Sequence, residues 1–110
     1  MNDCIFCKIE HGDTDTKFLY QDEHLIVFKD INPKAKTHIL VVPRPHICSL
    51  ADLTAQHTTL MAHTIMQLPK IAAKLNLNLF RTIINTGAAS GQEVPHLHFH
   101  ILSGGQLPGF

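Results

Sequence analysis

Five short stretches of the chain are rich in apolar and β-branched residues and end at turn-forming or charged residues, as β-strands do. They are FLYQ at 18–21, HLIVFK at 24–29, THILVVP at 37–43, FRTIINT at 80–86 and VPHLHFHIL at 94–102. The short connection Asp22–Glu23 predicts a hairpin between the first two. After the second stretch, Asp-Ile-Asn-Pro at 30–33 breaks the pattern, because the residue before a proline avoids the helical region.

From about residue 52 to residue 75 the apolar spacing becomes helical. The residues that recur at intervals of four and three are Met61, Ile65, Leu68, Ala72 and Leu75. Thr54 or Asp52 can cap the start of this helix, and Pro69 predicts a kink or a break inside it. CIFCKIE at 4–10 predicts a short helix or turn.

The order strand, strand, strand, helix, strand, strand predicts the α+β class. Short connections between strands favour a five-stranded antiparallel meander, with one main helix crossing over and a short N-terminal helix. We expect residues 1–110 to form a single domain. An exposed sheet edge would favour pairing with a second copy of the chain.

Composition narrows the function classes. The formal net charge is zero, so no basic field attracts nucleic acid. The N-terminus lacks the basic start and apolar run of a signal peptide, and no stretch is as apolar as a membrane span. Three cysteines, an odd number, argue against a disulfide framework. We therefore expect a cytoplasmic protein with no membrane or nucleic-acid partner.

Cys4 and Cys7 form a C-x-x-C pair, which is ambiguous by itself. A thioredoxin-like redox function would need a βαβ context, which the pattern lacks. A zinc site would need two further ligands, for which His46 and His96 are candidates. The alternative is a pair of buried free thiols.

His96, His98 and His100 alternate with apolar residues, so they should share one face of a strand while Leu97, Phe99 and Ile101 face the core. A merely solvated face is one interpretation, and a three-histidine metal site is another. On a strand the rings stand about 7 Å apart, which suits separate tasks along an extended substrate such as a phosphate. A neutral imidazole is also a nucleophile.

The loop GAASGQ at 87–92 precedes the histidine strand. Small residues let backbone N–H groups approach phosphate oxygens, although such a loop also serves as a plain turn.

HLHFHIL at 96–102 resembles the HxHxHxx signature of the histidine triad (HIT) family. CIFCKI, YQDEHLIVFKDINPKAKTHILVVPRPHI, INTG and GQEVPHLHFHIL resemble its Hint branch, so the similarity covers nearly the whole chain. The resemblance implies an α+β homodimer whose two five-stranded sheets join across the interface.

The resemblance also implies roles by position. His98 matches the nucleophile, oriented by the backbone carbonyl of His96. His100 matches the residue that binds the α-phosphate, His38 a further histidine at the phosphate site, and Asp30 the acid that holds the ribose. The apolar walls of the nucleoside pocket match Ile5, Phe6, Ile9, Phe28 and Ile31. The loop around the phosphates matches Asn85, Gly91, Gln92, Glu93 and Val94. The zinc ligands match Cys4, Cys7, His46 and His96.

The function so implied is cleavage of the P–N bond of purine nucleoside 5′-phosphoramidates through a nucleotidyl-histidine intermediate. Zinc would be structural, and no catalytic metal is required. Hydrolysis of dinucleoside polyphosphates or aminoacyl-adenylates is the alternative within the class, and a regulatory nucleotide-binding protein is the alternative outside it. Four features depart from the Hint pattern: Glu93 where some members have serine, Ser90 where glycine is common, Ser103 before the glycine pair, and a short tail without tryptophan.

Overall fold

The computed structural model describes residues 3–109, which build one antiparallel sheet covered on both faces. The helices are α1 (Ile5–Glu10) and α2 (Thr58–Lys74), and the strands are β1 (Tyr20–Gln21), β2 (Leu25–Lys29), β3 (Thr37–Pro43), β4 (Arg81–Ile83) and β5 (Phe99–Ser103). The predicted α+β class, the five strands, the main helix and the short N-terminal helix are confirmed. Among the described residues, no helix has the length and apolar character needed to cross a membrane.

The strand order across the sheet is β1-β2-β3-β5-β4. The first three strands follow one another as a meander, and α2 then carries the chain to the far edge. β5 returns and lies between β3 and β4. In a strict meander β4 would lie next to β3 and β5 at the edge, so the predicted meander holds only for the first three strands. β5 is almost entirely buried, whereas β4 is half-exposed, which suits a central and an edge strand respectively.

Each face of the sheet has its own apolar cluster, because side chains alternate along the strands. The face covered by α2 buries Leu25, Val27, Ile39, Val41, Ile47, Leu68, Ile71, Leu97, Phe99 and Ile101. The face covered by α1 buries Cys4, Phe6, Cys7, Ile9, Ile26, Phe28, Leu40 and Val42. The prediction that Leu97, Phe99 and Ile101 attach the histidine segment to a core is confirmed.

The start of α2 differs from the prediction. Two 3₁₀ turns, Leu50–Asp52 and Ala55–His57, precede the helix, and Thr54 caps the second of them by accepting a hydrogen bond from the Gln56 N–H at 3.3 Å. Pro69 lies inside one continuous helix and does not break it.

The buried face of α2 is also rotated relative to the predicted apolar stripe. Ile65 is 48% exposed, while Thr64 is fully buried beside Leu68. Thr64 can be buried because its hydroxyl donates to the Leu60 carbonyl at 2.8 Å. A pattern of apolar residues alone does not identify a core threonine whose hydroxyl is hydrogen-bonded within its own helix.

The histidine strand is shorter than predicted, since β5 begins only at Phe99. Continuing the register Val41↔Phe99 would place Pro43 opposite Leu97, and a proline has no N–H for the ladder. The Leu97 N–H instead donates to the Ile47 carbonyl at 2.7 Å. His96 and His98 therefore lie in the segment before the strand, which begins with a bend at 94–96, and only His100 lies within the strand.

Candidate active site

A cavity of about 350 Å³ opens on the α1 face of the sheet, beside the histidine segment. Its walls include nearly every residue predicted for nucleotide binding: Ile5, Phe6, Ile9, Phe28, Asp30, Ile31, Asn85, Gly91, Glu93, Val94, His98 and His100. His38 lines the cavity too, whereas Gln92 and His96 do not. One side of the cavity is thus apolar, and the other carries imidazoles and carboxylates.

His98 is held in a single orientation, and its neutral form in a single tautomer. Its Nδ1 lies 2.7 Å from the carbonyl oxygen of His96, so Nδ1–H donates and the neutral ring keeps its lone pair on Nε2. Phe6 packs edge-on against the ring, with centroids 5.0 Å apart. A ring fixed in this way presents an unprotonated nitrogen at the cavity.

His38 and His100 form a chain of hydrogen bonds beside His98. The backbone N–H of Lys34 donates to His38 Nδ1 at 3.0 Å, which places the proton of a neutral His38 on Nε2. That nitrogen lies 2.9 Å from His100 Nδ1 and 3.4 Å from an Asp30 carboxylate oxygen. When His38 donates to His100, the Nε2–H of His100 is left as a donor for a ligand.

Burial keeps both of these rings neutral. It lowers the pKa of His38, although the Asp30 carboxylate acts in the opposite direction. Burial also lowers the pKa of His100 to about 4, and the neighbouring His98 and His38 add to this effect. At neutral pH the chain is therefore a set of neutral donors and acceptors.

Asp30, His38 and His100 are close enough together to suggest a metal site, with ligand atoms within 4.8 Å of one another. The hydrogen bond from Lys34 argues against this reading, because it leaves the proton of His38 on the nitrogen that would have to bind the ion. We interpret the group as a hydrogen-bond chain.

A second cluster lies next to the cavity and contains Cys4, Cys7, His46 and His96. The Nδ1 of His96 is 3.4 Å from the Cys4 sulfur and 3.6 Å from the Cys7 sulfur, and the Nδ1 of His46 is 3.3 Å from the Cys7 sulfur. Tetrahedral zinc, with bonds of about 2.3 Å to sulfur and 2.0 Å to nitrogen, separates such atoms by roughly 3.5 Å. The four side chains therefore fit that ion.

The surroundings of the cluster suit a metal as well. The Nε2–H of His96 donates to the Pro43 carbonyl at 2.8 Å, which leaves Nδ1 unprotonated and able to bind a metal. Burial, together with the adjacent Cys4, raises the pKa of the Cys7 thiol to about 11. A dication would supply the positive charge that a buried thiolate needs.

Comparison with known proteins shows the family to which the chain belongs. The model of the family described as "Scavenger mRNA decapping enzyme C-term binding" matches residues 3–108. Purine nucleoside phosphoramidase of Escherichia coli (strain K12) is 37% identical, over 94% of this chain and 88% of that protein. The chain belongs to the histidine triad family.

Solved structures show the same fold. That of a histidine triad protein from Clostridium difficile is 42% identical, with a TM-score of 0.93, and the match covers all of this chain (100%) and 97% of that one. A HIT family hydrolase from Legionella pneumophila Philadelphia 1 is 33% identical, with a TM-score of 0.91, and the match covers 96% of each chain.

Some cavity residues of this histidine triad protein were not predicted from its sequence: Thr16, Lys29, Asn32, Lys34, Leu40, Ile83 and Leu102. Leu40 and Ile83 are the cross-strand partners of His100, so a correct pairing of β3, β4 and β5 would have found them. Lys34 acts on His38 through its backbone, which leaves no signature in a residue type.

Gln92 is placed differently from the prediction. Its side chain does not line the cavity and is hydrogen-bonded to backbone groups of Gly87, Cys48 and Val94.

Two of the departures from the Hint pattern also have definite positions. Glu93 lines the cavity, and the Ser103 hydroxyl donates to the Leu79 carbonyl at 2.6 Å, which ties the end of β5 to the segment before β4.

Proposed function

We propose that this histidine triad protein is a hydrolase that cleaves the P–N bond of purine nucleoside 5′-phosphoramidates. The observation that carries the proposal is the orientation of His98, whose Nδ1–H is bonded to the His96 carbonyl at 2.7 Å and whose Nε2 is free at a nucleotide-sized cavity. The similarity to the purine nucleoside phosphoramidase of Escherichia coli supports the choice of substrate.

In this proposal the nucleoside enters with its base between the apolar walls formed by Ile5, Phe6 and Phe28. Asp30 accepts hydrogen bonds from the ribose hydroxyls. The carboxylate is held for this role, because its Oδ1 accepts the Asn32 N–H at 2.8 Å. The 5′-phosphorus then lies towards the histidine side of the cavity.

His98 Nε2 attacks the phosphorus, the P–N bond breaks, and the amine leaves with a proton taken from solvent. Water next attacks the nucleotidyl-His98 intermediate, releases the nucleoside monophosphate and restores the neutral ring. The Nε2–H of His100 and N–H groups of the 87–94 loop stabilise charge on the phosphoryl oxygens. Each such donor is worth roughly 10²–10³ in rate.

A substrate comparison tests the proposal. Steady-state turnover is measured on an adenosine phosphoramidate, a dinucleoside tetraphosphate and an aminoacyl-adenylate, since these differ in the leaving group. We expect the phosphoramidate to have the highest kcat/KM. A higher value for either of the others would assign the same site to that substrate class.

We further propose that Cys4, Cys7, His46 and His96 bind a structural zinc ion. The sulfur–nitrogen distances of 3.3–3.6 Å and the Pro43 bond to His96 support this. When bound, the ion would supply a cross-link between α1, the segment after β3 and the histidine segment. It would take no part at phosphorus.

We also propose a homodimer that extends the sheet across the edge strand β4, in line with the family resemblance. Leu79 and Phe80, just before β4, are 84% and 37% exposed, which is unusual for such residues beside a sheet edge. A Leu79→Glu variant should sediment as a monomer, whereas Leu50→Glu, at an exposed leucine elsewhere, should sediment like the wild type. A monomeric wild type would refute the dimer.

A further inference from the structure

Every hydrogen-bonding group of the Gln92 side chain is used within the protein. Its Oε1 accepts the Gly87 N–H at 2.8 Å, and its Nε2 donates to the carbonyls of Cys48 at 2.6 Å and Val94 at 3.0 Å. The side-chain amide nitrogen has two N–H donors, and these two carbonyls occupy both of them. No donor is left for a phosphate, and Gln92 does not line the cavity.

The first of these bonds closes the loop that borders the cavity. Gly87 is bonded to Gln92 twice, because its carbonyl also accepts the Gln92 backbone N–H at 3.1 Å. Gly87 and Gly91 have φ values of +89° and +104°, in the region that favours glycine. The two glycines leave the loop flexible in the unfolded chain. In the folded protein the two hydrogen bonds between Gly87 and Gln92 restrict it to one conformation.

The other two bonds attach this closed loop to its surroundings. Cys48 lies two residues after the proposed zinc ligand His46, and the intervening Ile47 carbonyl accepts the Leu97 N–H. Val94 lies at the head of the histidine segment, and its carbonyl also accepts the His96 N–H at 2.8 Å. Gln92 therefore connects the loop, the segment at 46–48 and the segment that carries His98.

We propose that Gln92 is a positioning residue, which fixes the 87–94 loop and the histidine segment relative to each other so that the phosphate is aligned with His98. This rests on the proposed function, because it assigns Gln92 a part in the same reaction. It gives a specific role to a residue that the family resemblance matches only to the loop around the phosphates. Gly91 and Glu93, on either side of Gln92, line the cavity and are the groups whose placement it controls.

Two substitutions test the role in different ways. Gln92→Glu keeps the size and the acceptor for Gly87 but turns a carboxylate oxygen towards two carbonyls. Gln92→Ala removes all three bonds. Gln56→Glu and Gln56→Ala are matched controls at an exposed glutamine in the 3₁₀ turn before α2, outside the cavity.

We measure kcat and KM on an adenosine phosphoramidate, the affinity and stoichiometry of AMP binding, and zinc content. Both Gln92 variants should lose about 10- to 100-fold in kcat, the size of loss that follows a misplacement of about 1 Å. AMP affinity should change less than threefold, since base and ribose contacts remain. AMP stoichiometry and zinc content equal to those of the wild type would show that the loss is not caused by an unfolded fraction.

Three results would overturn the proposal. One is a kcat within twofold of the wild type in both variants, with AMP affinity unchanged. Another is an unchanged kcat with weak AMP binding, which would make Gln92 a direct ligand. The third is loss of zinc and AMP sites in proportion to activity in both variants, which would make it a folding residue only.

Failure of the proposed function gives a different pattern. In that case the wild type itself would not hydrolyse phosphoramidates. Amide hydrogen exchange at Gly87 and Leu97, compared between wild type and Gln92→Ala with AMP bound, then tests the positioning directly. Faster exchange at both sites is expected, and unchanged exchange at Leu97 would refute the connection between loop and histidine segment.

Discussion

His96 and His98 are joined by a hydrogen bond of 2.7 Å from the His98 ring to the His96 carbonyl, while Nδ1 of the His96 ring lies 3.4 Å from the Cys4 sulfur and 3.6 Å from the Cys7 sulfur. One residue thus contacts the proposed nucleophile through its backbone and the proposed zinc ion through its side chain. The position of the proposed zinc ligands and the orientation of the proposed nucleophile are linked through this residue.

Replacing His98 with alanine should lower phosphoramidate turnover by roughly 10⁴-fold or more, because it removes the nucleophile of the proposed covalent mechanism. Rates are measured under single-turnover conditions, and the nucleotidyl-protein adduct is sought by mass spectrometry after an acid-free quench. His11→Ala, at an exposed histidine, is the control. Near-normal turnover of the His98 variant would contradict the mechanism.

Metal analysis of the purified protein should find about one zinc per chain, lost when Cys4 and Cys7 are both replaced by serine. The Tm of that variant should fall by about 5 °C or more, since each kcal/mol shifts the Tm of a chain this size by about 4–8 °C. Cys48→Ser, which leaves the four ligands intact, should keep both metal and Tm. Wild-type protein without metal, purified under reducing conditions without chelator, would refute the site.

The free energy of unfolding should decrease as the pH is lowered from about 6.5 towards 4. The pKa of His100 is about 4 in the folded protein, below the ordinary histidine value of 6.5, so the unfolded chain binds more protons in this window. His100→Gln should show a shallower decrease, by about 1–3 kcal/mol over the window. His11→Gln should follow the wild type, and an unchanged slope for His100→Gln would contradict the burial of a neutral ring.

Glu93→Gln should raise the relative kcat/KM for substrates with polyanionic leaving groups, because it removes a carboxylate from the cavity wall. We expect kcat/KM for a dinucleoside tetraphosphate to rise by about 3- to 10-fold relative to that for a phosphoramidate, the effect of roughly 1 kcal/mol of relieved repulsion. Glu23→Gln, outside the cavity, is the matched control. An unchanged ratio would show that Glu93 does not face the leaving group.

Asp22→Asn should destabilise the protein by about 2 kcal/mol at pH 7. Burial by itself raises the pKa of Asp22, but hydrogen bonds from Tyr20, His63 and two backbone N–H groups outweigh it and lower the pKa to about 2. This stabilisation is present above pH 3.8 and is lost as the pH falls through 2. Urea unfolding checks it, with Asp15→Asn as an exposed control, and equal stabilities would contradict it.

Local features of the fold were predictable because they follow from neighbouring residues. The run 37–43 is a strand as predicted, and Asp22 forms the hairpin turn with its carboxylate accepting the N–H groups of His24 and Leu25. The residue at which the histidine strand begins was not predictable, because it depends on Pro43, more than fifty residues away in the chain. Ile65 belongs to the predicted apolar stripe but is 48% exposed, whereas Thr64 is buried with its hydroxyl bonded to the Leu60 carbonyl. A pattern of apolar residues does not reveal that bond.

By itself, the sequence determined which chemical groups this protein carries and which local elements hold them. Through residue types and their resemblance to the histidine triad family, it placed Cys4, Cys7, His46 and His96 in one proposed set of metal ligands. It placed His98, His100 and His38 in a proposed catalytic set. The tertiary structure decided the proton positions and the connections. The Lys34 N–H sets the tautomer of His38, and the His96 carbonyl sets that of His98. Three backbone groups form hydrogen bonds with the side-chain amide of Gln92. These are hydrogen bonds involving backbone atoms, which every residue has, so only the folded chain shows where they form.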